Sequence, residues 1–243
     1  MGDLRILAFD TSGPHCAASL VINGEVVASV TEDMRKGQAE RLMPMLDEVM
    51  ASARTVWEEL DGIGVGVGPG NFTGIRIAVA AARGLSLALG IPAVGVSLFE
   101  ALRGPEWFGN TEPQFVVARS SRRGNDVVVQ RFAGGVPTEE IAEGALSAET
   151  GPVRPDIPEP DRIHSVLGTL TEVQNFNEYI QGGAGQCIYV NAVGGPGFSL
   201  ADKIALVAAL KLSDGAPVPR PAPLYVRPAD AAPASDPPPV ILE

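Results

Sequence analysis

Three adjacent polar residues near the start of the chain, Asp10, Thr11 and Ser12, carry groups that can bind a metal ion or a phosphate. They follow a short apolar run and begin a turn, where an acid and two hydroxyls could contact a nucleotide. The structural alternative is an Asx or Ser/Thr turn that satisfies its own backbone. These residues therefore predict either a nucleotide site or a self-contained turn.

A glycine-rich segment, GPGNFTG at 68–74, could supply the phosphate contacts of such a site. It joins an apolar run to a helical pattern, and backbone N–H groups at a helix N-terminus can hold an anion. The segment lacks the GK[ST] ending of a P-loop and departs from the dinucleotide fingerprint. Gly68, Gly70 and Thr73 are therefore candidates for a vestigial nucleotide site, and the glycines also indicate a tight turn.

The remaining residues give little indication of a metal site or of a catalytic nucleophile. Cys16 and Cys187 are far apart and lack metal-ligand spacing, so we expect neither a disulfide framework nor a zinc site. His15 and His164 are isolated in the sequence, and no HExxH pair or GxSxG elbow is present. We therefore expect no metal and no cofactor.

The charge balance and the absence of a targeting pattern limit the partners. The 243-residue chain has a net charge of −11, which opposes autonomous binding to nucleic acid. The sequence shows no run of about 18 apolar residues that could span a bilayer, and the N-terminus does not resemble a signal peptide. We therefore expect a cytoplasmic protein with no membrane role, and any RNA substrate should be held by another protein.

The elements that must position these residues follow from hydrophobic periodicity. Alternating patterns predict three strands joined by tight turns, and a helix, a strand, a helix and a strand follow. The predicted spans are 4–10, 16–22 and 25–31 for the first strands, 38–53 for a helix that contains Pro44, and 61–68, 73–89 and 91–97. This order predicts an α/β ribonuclease H-like lobe with a mixed five-stranded sheet, the building block of actin-like ATPases.

A weaker pattern after a break near 104–113 predicts a second, smaller and degenerate lobe. Its predicted strands lie at 114–119, 125–132, 163–168 and 187–193, with a loop-rich stretch from 134 to 160, a short helix, and a helix at 200–212. The predicted domains are an N-terminal lobe at 1–108, a C-terminal lobe at 109–214, and a proline-rich extended tail at 215–243.

The two predicted helices of the first lobe are apolar beyond the face that should pack on the sheet. Opposite its core stripe, helix 73–89 has the small or apolar residues Gly74, Ile77, Ala81, Gly84 and Ala88, and helix 38–53 extends its stripe through Ala39, Met43 and Met50. An exposed apolar patch of this kind indicates a protein interface. The alternative is that the second lobe or the tail covers it.

At these residues the sequence resembles a known family, the TsaB (YeaZ) proteins of tRNA threonylcarbamoyladenosine biosynthesis. The similar segments are ILAFDTS, QAERLMPMLDEV, GVGPGNFTGIRIAVAAARGLSLALGIPAVGVS and PLYVRPADA. The resemblance is strong through residues 4–100, patchy over 110–214, and returns around Tyr225 and Arg227. GPGNFTGIRI, similar to the family's GPGSFTGxR motif, is its most specific part.

The resemblance implies an actin-like two-lobed fold and a non-catalytic paralogue of TsaD. It implies a heterodimer with TsaD, which transfers the threonylcarbamoyl group from its adenylate to adenosine 37 of tRNA, and a further partner in the ATPase TsaE. TsaD-type enzymes hold a metal with two histidines on the matching helix, where this chain has Gln38 and Leu42. A metal site is therefore not expected here. An interior proline can also mean that the helix begins near Pro44, but a proline at this position is usual for the family, which favours a kinked helix over a late start.

The resulting prediction is a scaffold with no chemistry of its own. Helices 38–53 and 73–89 would pack against TsaD, and the chain would homodimerise through the same surface when alone. tRNA would be met only indirectly, through the complex. Two enzyme hypotheses stay open: an independent actin-like ATPase or small-molecule kinase that uses Asp10, Thr11 and the 68–74 loop, and a peptidase.

Overall fold

The computed structural model describes residues 4–105, 108–109, 111, 114–119, 126–134, 136–137, 141–145, 166–168, 189–191 and 198–226. The first elements are β1 (Arg5–Asp10), β2 (His15–Ile22), β3 (Glu25–Asp33), α1 (Gln38–Ser52), a 3-10 turn (Trp57–Glu59), β4 (Gly62–Gly66), α2 (Phe72–Leu89), β5 (Ala93–Val96) and α3 (Leu98–Arg103). The later ones are β6 (Gln114–Arg119), β7 (Asp126–Ala133), β8 (Val136–Pro137), β9 (Ala142–Ala145), β10 (Val166–Gly168), β11 (Tyr189–Asn191) and α4 (Leu200–Ser213).

The first five strands form one mixed sheet in the order β3-β2-β1-β4-β5. β1, β2 and β3 are antiparallel neighbours, whereas β4 and β5 run parallel to β1. Asn23 and Gly24 both have positive φ, at 56° and 81°, as a tight hairpin turn between β2 and β3 requires. The predicted mixed five-stranded sheet is confirmed.

Helices α1 and α2 cover one face of this sheet. Their buried residues pack on those of β1, β2 and β4 in a single core, and Leu42, Met45, Leu46, Ile75, Ala78 and Ala82 are among the helical contributors. α1 begins at Gln38 and continues through Pro44, so a late start at the proline is excluded. The two helices thus form the layer that the apolar patterns predict.

Helix α4 covers the opposite face of the same sheet. Ile204, Ala205 and Ala208 pack with Ile6 and Val94 in a second core. A Cβ added at Gly64 of β4 would lie 3.1 Å from the Cβ of Ala208, so the glycine allows close approach of the helix. The order of predicted elements along the chain places this helix in the second lobe. Its apolar residues instead complete the first lobe, whose sheet would otherwise expose a hydrophobic face to water.

A second sheet has the strand order β11-β10-β6-β7-β8, and β9 also pairs with β7. Phe99 and Leu102 of α3 pack against Val116, Val128 and Phe132 of this sheet. The strands predicted at 114–119 and 125–132 are confirmed, whereas β8 and β9 lie in a stretch expected to be loop. The short helix expected between β10 and β11 falls outside the described residues.

The described part of the tail, residues 215–226, contains no helix or strand. Its backbone joins the first lobe where Leu224 N donates to Val67 O at 2.8 Å. The rest of the predicted tail, 227–243, lies outside the described residues. The extended form of the tail stays a prediction.

Candidate functional site

The carboxylate of Asp10 lies at the carboxyl end of β1 and is 1% exposed. Its Oδ2 accepts hydrogen bonds from the backbone N–H and the hydroxyl of Ser12, both at 3.0 Å, and lies 2.7 Å from Nε2 of His15. A Cβ at Gly66 of the neighbouring strand would overlap Oδ1 of Asp10. The acid is therefore engaged within the chain, as the turn alternative predicts.

His15 joins this cluster although it is isolated from other candidate residues in the sequence. The hydrogen bond that His15 makes to the Asp10 carboxylate raises the pKa of His15, burial lowers it, and the negative charges of Asp10 and Asp33 add to the increase. The residue begins β2, and Asp10 ends β1, so the hairpin between them brings the two side chains together. The predicted hairpin was the signal that could have identified the pair.

The stability contributed by His15 should depend on pH. Because its pKa in the folded chain lies above the ordinary value of 6.5, stabilisation by the Asp10 pair is fully present below that pH. It is lost as the pH rises through the folded pKa. We expect the difference in unfolding free energy between the parent chain and His15→Gln to be largest near pH 6 and to shrink at higher pH. Urea titrations of both proteins across this range test it, and a constant or growing difference would contradict the pair's role.

The glycine-rich loop and the first turn are in direct contact. Thr11 Oγ1 donates to the carbonyl of Gly74 at 2.6 Å, and Asn71 N donates to the carbonyl of Ser12 at 2.6 Å. A Cβ at Gly74 would overlap Thr11 O, and one at Gly70 would lie 2.5 Å from Ser12 O. The loop glycines therefore let the N-terminus of α2 approach the β1–β2 turn.

The predicted nucleotide-site residues are thus brought together, but in a different way from a phosphate-binding loop. Asn71 caps α2, where its Oδ1 accepts from Gly74 N at 2.9 Å, so a donor at the helix start is already used. Gly68 has a φ of 93°, and its carbonyl accepts from Leu98 N. Thr73 is exposed in the first turn of α2. Many of the polar groups at the start of α2 are therefore already used in hydrogen bonds within the chain.

Metal and thiol chemistry also lack support in the part of the chain that the structure describes. There, no group of three or more His, Cys, Asp or Glu side chains is placed to hold a metal ion. Cys16 is fully buried, and burial raises the pKa of its thiol to about 11. A thiol with this pKa is protonated at neutral pH and is a poor nucleophile. Cys187 and His164 lie outside the described residues.

The helix residues predicted as a partner surface fall into three groups. Ala39, Met43, Gly84 and Ala88 are exposed, and Ile77 and Ala81 are half-buried at the edge of the core. Met50 is only 3% exposed because it packs inside the core, and Gly74 is buried against the Thr11 carbonyl. Met50 and Gly74 were therefore wrongly placed on the free surface.

Two further residues of α2, which were not among the predicted surface residues, lie on its free side. Ala80 is exposed, and Leu87 is 80% exposed. At 100° per residue they lie on the same side of the helix as Gly84, so the helical wheel was the signal. The outer face of α2 is defined here as Ile77, Ala80, Ala81, Gly84, Leu87 and Ala88. It is apolar and includes no carboxylate.

The tail contacts one edge of α2. Arg83 Nε donates to Pro221 O at 2.7 Å, and Arg76 Nε donates to the hydroxyl of Tyr225 at 2.9 Å. The ring of Tyr225 also packs on that of Phe72, with centroids 4.9 Å apart. The described tail thus holds the arginine edge of the helix and leaves Gly84 exposed. In the described residues, it does not cover the outer face.

The length and composition of α2 would also allow it to cross a membrane. The helix has 18 residues with a mean hydropathy of 1.4, although it contains Arg76 and Arg83. The core helix of a soluble protein passes the same test, and Ile75, Ala78 and Ala82 of α2 are fully buried against the sheet. The hydropathy is therefore explained by one face in the core and an outer face that is also apolar.

The comparisons with known proteins point to one group of related proteins. The family described as TsaD, tRNA N6-adenosine threonylcarbamoyltransferase, matches residues 25–148. The protein named tRNA threonylcarbamoyladenosine biosynthesis protein TsaB is 36% identical in Buchnera aphidicola over 124 residues, 51% of this chain and 58% of that protein. The Escherichia coli protein of the same name is 30% identical over 148 residues, 60% of this chain and 64% of that protein. The chain thus spans less than two thirds of these relatives.

Solved structures show the same fold. A Pseudomonas aeruginosa protein described as similar to peptidase YEAZ superposes with a TM-score of 0.62 at 21% identity, over 92% of this chain and 100% of that one. YeaZ from P. aeruginosa gives 0.59 at 23%, over 87% and 93%. A ROK hexokinase from Thermus thermophilus gives 0.54 at 15%, over 87% and 100%, which supports the predicted actin-like ATPase fold. Since the matching family model covers half of the chain, the chain belongs to the TsaD-like family, and the relatives and structures named above support its placement with the TsaB (YeaZ) proteins.

Proposed function

We propose that this chain is a non-catalytic scaffold subunit in the synthesis of threonylcarbamoyladenosine at position 37 of tRNA. In this role it binds and activates the transferase TsaD, together with TsaE. The observation that carries the proposal is the outer face of α2, an exposed apolar helix surface on a chain with a net charge of −11. A surface of this kind is typical of a protein interface.

The outer face of α2 is suited to a second helix. A Cβ added at Gly84 would meet nothing within 4 Å, so a partner backbone can approach there without a side chain between the helices. Ala80 and Ala88 on either side are also small and exposed. Leu87 projects beside them, and its burial on a partner would contribute about 1.5 to 3 kcal/mol. Small residues with one large anchor favour close helix packing.

Helix α1 extends this surface with a polar border. Met43 is 41% exposed, and Ala39 lies one turn earlier on the same helix. Arg41 pairs with Glu32 of β3 at 2.6 Å and with Glu48 at 2.6 Å, and these hydrogen bonds lower the pKa of both carboxyls. The ion pairs tie α1 to the edge of the sheet. The partner surface thus has an apolar centre and a charged rim, as protein interfaces commonly do.

Hydrogen bonds within the β1–β2 turn support the proposal that the chain has no catalytic activity of its own. Asp10 is bonded to Ser12 and His15, and the Thr11 hydroxyl is bonded to Gly74. An ATPase or kinase that used these groups would have to break those bonds to hold a metal-bound nucleotide. A peptidase would need an activated nucleophile, which the described residues do not assemble. Both enzyme alternatives therefore have less support than the scaffold.

The net charge and the outer face of α2 support two further parts of the proposal, indirect contact with tRNA and homodimerisation. A chain with a net charge of −11 is repelled by tRNA, so TsaD would hold the substrate and this subunit would meet it indirectly. The outer face of α2 would pair with a second copy of the chain when TsaD is absent. Such a homodimer would dissociate when TsaD competes for the same face. A cytoplasmic location is part of the same proposal.

Reconstitution with TsaD and TsaE from the same organism tests the function. We expect the chain to form a complex with TsaD that is detected by light scattering, and tRNA modification to require all three proteins. The isolated chain should hydrolyse no ATP above background. Modification at full rate without this chain would contradict the scaffold role. ATP hydrolysis by the isolated chain that is lost in Asp10→Ala would support the ATPase alternative instead.

A further inference from the structure

A cleft of about 420 Å³ lies between the C-terminal end of α2 and the tail. Its lining includes Arg83 and Leu87 from the helix, Ile91 and Pro92 from the loop before β5, and Val218 and Arg220 from the tail. The lining contains two arginines and no acidic side chain. On a chain with a net charge of −11, this is a local concentration of positive charge among apolar lining residues.

Both guanidinium groups retain hydrogen-bonding capacity. Arg83 uses its Nε for the carbonyl of Pro221, which fixes the side chain and leaves the four N–H donors of its two terminal nitrogens. Arg220 is exposed. Within the described part of the chain, neither arginine forms an ion pair with a carboxylate. The cleft therefore contains two positively charged side chains, of which Arg83 is held in place by a hydrogen bond.

The cleft is continuous with the outer face of α2. Leu87 belongs to both, and Arg83 directly precedes Gly84, the residue at which a partner helix can approach most closely. A protein segment that packs along the outer face would therefore pass the mouth of the cleft. Its binding would take water away from Arg83 and Arg220. Burying two cations without a counter-charge is unfavourable, so an acidic partner is favoured over a neutral one.

We infer that this cleft receives an Asp or Glu side chain of the partner segment that packs along α2. The inference rests on the proposed function, because it adds the charge of the partner at one end of the same surface. The fork of a guanidinium matches the two oxygens of a carboxylate, so the contact fixes the register of the partner along the helix. The apolar outer face supplies binding, and the cleft supplies selectivity for an acidic partner.

Neutral substitutions of the two arginines test this inference. We expect Arg83→Gln with Arg220→Gln to weaken association with TsaD by about 10- to 100-fold and to flatten its dependence on salt. Arg220→Gln alone should show a smaller effect in the same direction. It also guards against misfolding, because Arg220 is exposed and its replacement removes no contact of the core. Binding titrations at low and high salt measure both effects.

Lys36→Gln is the matched control for loss of charge. Lys36 is exposed before α1, at the end of the helical layer opposite the cleft. It should change association by less than about threefold, since an exposed charge contributes little to binding. An equal loss in Lys36→Gln would mean that net charge alone is responsible, and that would overturn the inference.

Three further outcomes are separable. If Gly84→Arg abolishes association and the double glutamine variant does not weaken it, the cleft inference fails and the proposed function stands. If Gly84→Arg retains full association, the partner surface itself is wrong. If inorganic phosphate binds the isolated chain through the two arginines while TsaD binding does not depend on them, the cleft is a free-anion site and the inference is overturned.

Discussion

Gly84→Arg is expected to leave the chain folded and to weaken its association with TsaD by roughly 10²-fold or more, because a charged side chain would be buried unpaired between two helices. Nothing lies within 4 Å of a Cβ built at position 84, so the variant creates no clash inside the chain. Arginine also favours a helix over glycine by about 1 kcal/mol, so the free energy of unfolding should increase slightly. Loss of binding with increased stability would locate the effect at the interface.

Ser213→Arg is the matched control for this variant. It adds the same charge at the exposed end of α4, on the opposite face of the sheet, and should retain TsaD binding and tRNA modification. Ala81→Glu would be a less specific test of the same surface. Ala81 packs against the core, so a charge there also tests folding. Full association and modification by Gly84→Arg would show that the partner surface lies elsewhere.

Gly74→Ala is expected to lower the free energy of unfolding by about 3 kcal/mol or more, since a methyl group would overlap the carbonyl oxygen of Thr11. The backbone fixes the positions of both atoms, the added Cβ and the Thr11 carbonyl oxygen, so no side-chain rotation can relieve the overlap. The N-terminus of α2 would have to move away from the first turn, which would strain the hydrogen bond from Thr11 Oγ1 to Gly74 O. Urea unfolding followed by circular dichroism measures the change.

Gly84→Ala provides the opposite expectation on the same helix. It adds the same methyl group where no atom lies within 4 Å, and it should raise the free energy of unfolding by about 0.5 to 1 kcal/mol. Both variants change one glycine of α2 to alanine, so they share the gain in helix propensity. The difference between them therefore reports the effect of close packing at Gly74. A Gly74→Ala protein as stable as Gly84→Ala would contradict the contact with the first turn.

These contacts give the glycine-rich loop a structural role. Gly70 and Gly74 bring the start of α2 against the β1–β2 turn, and Gly66 provides space for the carboxylate of Asp10. The loop thus fixes the helix whose far side is the proposed partner surface. A residue pattern that resembles a phosphate site can arise from this packing alone, since glycines serve close backbone approach in both cases.

The fold of residues 4–100 was largely predictable from the sequence. Period-2 and period-3.6 patterns gave the strands and helices, and the order of three antiparallel strands followed by alternating elements gave the sheet topology. The second sheet was predicted less completely. Its strands β8 and β9 were missed because they are short and because neighbouring Gly and Pro residues indicate a loop.

The sequence by itself determined the elements of the first lobe, the tight loop before α2 and the small, apolar character of its outer side. Only the tertiary structure decided that α4 completes the first lobe, that His15 pairs with Asp10, and that Met50 and Gly74 are buried. Periodicity is a local property, whereas burial and pairing depend on which elements meet. A helical wheel therefore shows which residues share a side, and only packing shows which side remains free.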